Sequence, residues 1–176
     1  MTAALDALKL GVLVFLAAVV HVAVVAGTHV FGGTAHLLLV VLVAVALLRG
    51  AVVGAAAGFF GGLVVDLAAW ETLGVTSLLL TLAGYWIGRY GETTGRDRAH
   101  APLLSVVVVT LLYVLGSLLL HGVLGSSVAV GYALGTTLLP TVLLNVALTI
   151  PVYALCRRLL PPLERTDRAR EVNLLG

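Results

Sequence analysis

Few side chains in this sequence could do chemistry, and most stand apart from one another. The histidines are His21, His29, His36, His100 and His121. On the alternating path set out below, His29 and His36 lie in the first outer loop and His121 begins the outer turn after the fifth helix, so a metal site is the first idea to weigh. Their separations match no metal-ligand spacing, and no carboxylate is matched to them. No metal and no cofactor is expected. Cys156 is the single cysteine, which excludes an internal disulfide and a paired-thiol site. Ser77, Ser105 and Ser117 have no histidine–carboxylate pair beside them. The stretch GETTGRDR at 91–98 lacks the preceding strand and the lysine–serine/threonine ending of a phosphate loop. No catalytic residue is assigned, and no enzyme activity is expected. The remaining oddity is Asp66, a lone carboxylate in GFFGGLVVDLAAWETLG, residues 58–74, with no basic residue near it.

The elements that hold these residues are apolar. Of 176 residues, 61% are hydrophobic and 10% are charged, with a mean hydropathy of +1.16. Soluble domains carry roughly 25% charged residues. The chain therefore reads as an all-α polytopic membrane protein. Its apolar runs predict six transmembrane helices, near 8–26, 35–48, 50–67, 75–90, 103–121 and 128–156. Residues 1–160 form one transmembrane domain, and residues 161–176 form a short charged tail. That tail suits either an interfacial anchor on anionic lipid or a docking segment. Lys9 and the apolar run after it read as a retained helix rather than a cleaved signal peptide.

With a cytoplasmic N-terminus and six crossings, Lys9, Arg49, Arg89, Arg96, Arg98, Arg157, Arg158, Arg165, Arg168 and Arg170 all fall inside. This obeys the positive-inside rule throughout. Both termini are expected in the cytoplasm, with the chain multi-pass in its membrane. Arg49, Arg89, Arg157 and Arg158 are expected as basic anchors on that side. The basic residues lie at membrane edges, so no nucleic acid is expected as a partner. Trp70 and Tyr90 suit interfacial positions.

Asp66 lies 16 residues beyond Gly50, or about 24 Å up a helix. It is expected near the outer interface, either reaching headgroup water or serving as a polar anchor within the bundle or against a partner. Gly54, Gly58 and Gly62 recur every four residues and so share one helix face. Such a face lets a second helix approach closely, inside the bundle or from a partner. His21, within the first span, is expected to be hydrogen-bonded in the bundle. Asn145 lies between Pro140 and Pro151, where its amide is expected to satisfy carbonyls freed by proline. Pro140 is a candidate kink.

The stretch GFFGGLVVDLAAWETLGVTSLLLTLAGYWIGRY, residues 58–90, resembles the MreD family of bacterial rod-shape proteins. The matching positions are Gly58, Gly62, Leu63 and Asp66, then Leu73 and Gly74, then Gly84, Tyr85 and Gly88. The last helix, NVALTIPVYALCRRLL, is also similar, with Asn145, Pro151, Tyr153, Arg157 and Arg158. The resemblance implies a membrane scaffold of the cell-wall elongation machinery. It implies MreC, a single-span protein with a large outer domain, as the direct partner. RodA, a class B penicillin-binding protein and MreB are implied as further members of the complex, with membrane lipids around it. The six-helix arrangement is also similar to the S-component fold of energy-coupling-factor transporters. That likeness supplies the alternative function, a vitamin-type substrate-binding subunit, with His29, His36, Asp66, Glu71 and His121 rimming an outward pocket. Under the scaffold reading Gly58 and Gly62 allow close helix approach, Asp66 caps the outer end of that face, and Gly84 with Tyr85 fixes the facing helix.

Overall fold

The computed structural model describes residues 2–25, 33–70, 73–94, 100–123 and 137–160. His29, Glu71, Arg96, Arg98, the side chain of His121 and the tail from residue 161 lie outside the described residues. Six α-helices are described: α1 (Thr2–Val20), α2 (Leu37–Arg49), α3 (Ala51–Ala69), α4 (Val75–Thr94), α5 (Ala101–Val123) and α6 (Leu138–Leu159). A π-helical turn, His21–Val25, continues α1. The helices α1, α3, α5 and α6 are long and apolar enough to cross a membrane. The 20 residues of α4 end in the polar sequence GRYGETT.

The shortest helix, α2, is the core of the bundle. Its 13 residues reach about 20 Å, less than the roughly 30 Å of a bilayer's hydrocarbon. Every residue from Leu38 to Leu48 is buried, and α2 packs against all five other helices. A helix that is apolar all round has no solvent face to offer and belongs inside. The turn from α2 into α3 is a single residue, Gly50, at φ 94° and ψ −177°. A side chain there would be strained, so glycine is required for so tight a reversal. The Gly50 N–H donates to the Ala46 carbonyl, and the Gly50 carbonyl accepts from Gly54 N–H.

Several expected boundaries move. The fourth helix runs to Thr94 rather than stopping near Tyr90, so Gly91 to Thr94 are helical and not loop. The reason is local: Thr93 Oγ1 donates to the carbonyls of Arg89 and Tyr90, and Glu92 is fastened to α3. The fifth helix starts at Ala101, with Pro102 in its first turn, where a missing N–H costs nothing. Pro140 likewise lies in the first turn of α6 and breaks no ladder there, so the only proline in the interior of that helix is Pro151. The stretch 128–136, expected to belong to the last span, lies outside the described residues.

The helices alternate in direction. Asp6 of α1 meets Arg49 at the end of α2, and Ala51 at the start of α3 meets Glu92 near the end of α4. The start of α5, at Pro102, lies beside Arg157 and Arg158 at the end of α6. Arg49, Arg89, Arg157 and Arg158 thus gather at one end of the bundle. Arg157 and Arg158 also sit in the last turn of α6, where cations favour the helix dipole.

Candidate functional site

The most closely built part of the molecule is the seam between α3 and α4. Gly54, Gly58 and Gly62 all face α4. A Cβ placed on Gly54 would lie 2.5 Å from the Gly84 carbonyl oxygen, and one on Gly62 would lie 2.5 Å from Ser77 Cα. A Cβ on Gly58 would run into the Leu80 carbonyl, and one on Gly88 into the backbone of Ala51. The antiparallel register is therefore held along the whole contact, from Gly88 against Ala51 to Ser77 against Gly62. In hydrocarbon there is no hydrophobic drive between helices, and such backbone contact supplies dispersion instead. The stripe is filled by α4 and has no room for another helix.

Each helix of the seam also caps the other. The carboxylate of Asp66, 1% exposed, accepts hydrogen bonds from the N–H groups of Gly74 (2.9 Å), Thr76 (3.2 Å) and Ser77 (3.2 Å). These are donors at the start of α4 that its own helix cannot satisfy. A negative charge at a helix N-terminus also suits the dipole. Asp66 therefore is not a carboxylate reaching headgroup water: it is buried under α4. At the other end Glu92 Oε1 accepts from Ala51 N–H at 2.8 Å, capping α3. Glu92 also meets Arg89 at 3.5 Å. Ser77 Oγ donates to the Phe59 carbonyl at 2.9 Å, pinning the seam from the side. Tyr85, expected to fix the facing helix, instead points outward. It is 42% exposed and lies edge-on to Trp86 with centroids 6.0 Å apart.

A second polar cluster binds α6 to α2. Thr141, Asn145 and Thr149 are each at most 2% exposed and recur every four residues, so they line one inward face. Asn145 Oδ1 accepts from His36 N–H at 2.7 Å, and its Nδ2 donates to Thr110 Oγ1 of α5 at 3.1 Å. Thr141 Oγ1 accepts from Thr34 N–H at 3.2 Å. Asn145 thus joins three segments rather than satisfying carbonyls freed by proline; Pro151 itself lies exposed on α6. The four-residue spacing of Thr141, Asn145 and Thr149 is a sequence signal that reading the asparagine alone misses. His36, expected in a loop, is partly buried and packs its ring 5.0 Å from Tyr113 and 5.5 Å from His21. His21 Nδ1 has no hydrogen-bond partner among the described residues, and the His21 ring packs against that of His36.

Asn145→Ala should orphan the His36 N–H and the Thr110 hydroxyl in the core, at about 1–3 kcal/mol for each unsatisfied group. Thermal unfolding in detergent checks this, with a drop of several degrees expected and an unchanged midpoint contradicting it.

The reciprocal caps, the glycine register and the residues that set them span most of the signature region. The family model for the rod shape-determining protein MreD matches residues 3–160. The chain belongs to the MreD family. It is thus a membrane protein of rod-shape determination, and its MreD-like stretch, residues 58–90, is the α3–α4 hairpin itself. No curated protein and no solved structure matches the chain. Among the described residues of this MreD family member, no three histidine, cysteine or acidic side chains gather as a metal site would require.

Proposed function

We propose that this chain is a nonenzymatic scaffold subunit of the cell-wall elongation complex. In this reading it crosses the bacterial inner membrane six times, with both ends in the cytoplasm. It binds MreC and helps organise RodA, a class B penicillin-binding protein and MreB. Membership of the MreD family is the observation that carries the reading. The uses of its interior support it. Asp66, Asn145 and Glu92 all accept from backbone N–H groups at the starts of neighbouring helices, so these polar groups, the first two buried, serve the bundle's own architecture. A rigid bundle presents fixed outer faces, and a scaffold needs such faces more than it needs reactive groups.

The glycine stripe, being filled by α4, does not serve as the partner's contact in this reading. The contact falls on outward helix faces, such as the one carrying Leu78, Leu82, Tyr85 and Trp86 on α4. The alternative, a substrate-binding transporter subunit with an S-component-like fold, needs His36 and Asp66 to face a ligand. The Asp66 oxygens are engaged by backbone N–H groups, and the His36 ring lies between His21 and Tyr113.

Depletion of the chain in its own host separates the two. The scaffold reading expects cells to widen and round while small-molecule uptake is unchanged. Normal shape with a nutrient requirement would contradict it and favour transport.

A further inference from the structure

A groove of about 830 Å³ runs between α1 and α3. Gly11, Val14 and Phe15 on α1 face Ala56, Phe60 and Val64 on α3 across it. Asp6 and Arg49 close its foot. The Arg49 side chain is only 7% exposed, and its Nη1 lies 3.7 Å from Asp6 Oδ2. Among the described residues, neither its Nε nor its Nη2 has a hydrogen-bond partner. Those two nitrogens form one edge of the guanidinium, with two parallel N–H donors that match the oxygens of a phosphate. Buried donors of a charged group without acceptors are strongly unfavourable, so the site favours an anion.

We propose that this groove binds an anionic diacyl phospholipid, with one acyl chain between α1 and α3 and the phosphate on the Nε–Nη2 edge of Arg49. Charge complementarity sets the headgroup: Asp6 engages Nη1 and leaves the opposite edge for an anion. Length sets the tail. From Val52 to Val64 the wall rises about 18 Å, close to the roughly 15 Å depth of one leaflet's hydrocarbon. The cleft is also narrow. At its floor α1 and α3 touch, where a Cβ on Gly61 would lie 2.9 Å from the Val14 side chain. An extended chain enters such a cleft; a helix about 10 Å across does not. Arg49 lies at the basic end of the bundle, so the lipid comes from the cytoplasmic leaflet. Only that leaflet assignment rests on the orientation proposed above.

The test is native mass spectrometry of the purified full chain in mild detergent, titrated with phosphatidylglycerol or with diacylglycerol of the same acyl chains, which lacks the phosphate. The wild type should prefer phosphatidylglycerol by about tenfold, a difference typical of one charge-assisted contact. Arg49→Gln should bring the two lipids to within about twofold of each other. Gly11→Leu should weaken both lipids by filling the groove. A Cβ on Gly11 meets no heavy atom within 4 Å, so that variant is expected to keep the fold even if Arg49→Gln does not. Free glycerol phosphate should not compete, because the tail contributes much of the binding. Equal affinity of the wild type for both lipids would overturn the proposal. So would lipid binding that Gly11→Leu leaves unchanged, equal competition by glycerol phosphate, or cross-linking of a partner's helix into the groove with lipid excluded.

Discussion

Replacing Asp66 by alanine should unfold the outer half of the α3–α4 hairpin. The substitution leaves the N–H groups of Gly74, Thr76 and Ser77 without their acceptor. Thr76 and Ser77 are 4% and 2% exposed, so water does not readily replace the carboxylate. Hydrogen bonds to a charged group contribute about 1.5–3 kcal/mol each, and the three are not independent. A total loss of about 3–5 kcal/mol is expected, a large part of the roughly 5–15 kcal/mol that holds a typical domain folded. Asp66→Asn keeps one acceptor oxygen but turns an NH₂ toward backbone donors, so it should fall between alanine and wild type. Thermal unfolding in detergent, together with the amount of chain in the membrane, reads both variants. An Asp66→Ala protein that melts with the wild type would show that the cap contributes nothing.

Gly58 gives the second large effect. A single methyl group there meets the Leu80 carbonyl, a backbone atom that cannot swing aside. Overpacking of a filled contact costs about 1–3 kcal/mol for small additions, and Gly58→Leu should exceed that range because the two helices must separate. Alanine would otherwise stabilise a helix by about 1 kcal/mol over glycine. The sign of the change therefore separates packing from propensity. Gly58→Ala should destabilise, whereas Gly11→Ala, with open space at its Cβ, should stabilise. Measured unfolding midpoints moving the same way at both positions would contradict the seam.

Sequence and structure agree best where periodicity alone decides. Gly54, Gly58 and Gly62 recur every four residues, so their common face is readable without coordinates, and the apolar run of α2 announces a helix with no wet side. Partners across a turn are harder to read. The height of Asp66 on α3 follows from rise per residue, but its acceptor role depends on where residues 74–77 fold back, which spacing does not reveal. Glu92 is hard to read for a similar reason. It stands in a charged stretch that reads as loop, and a carboxylate at the end of α4 opposes that helix's own dipole. The conflict resolves only when α3 is seen to begin beside it. Tyr85 follows Gly84 directly, and one residue turns a helix by about 100°. The glycine lies in the seam and the tyrosine leaves it. The prolines flanking Asn145 suggest one role for it, although Thr141 and Thr149, four residues to either side, point to an inward polar face.

Affinity purification of the tagged chain from its own membranes in mild detergent, with mass spectrometry of the bound proteins, tests the scaffold reading most directly. The reading expects near-stoichiometric recovery of a single-span protein with a large outer domain, lost when Asp66→Ala loosens the bundle. Recovery instead with a pair of cytoplasmic ATPases and a second polytopic subunit would contradict it, and the chain would have to be reread as part of a transporter.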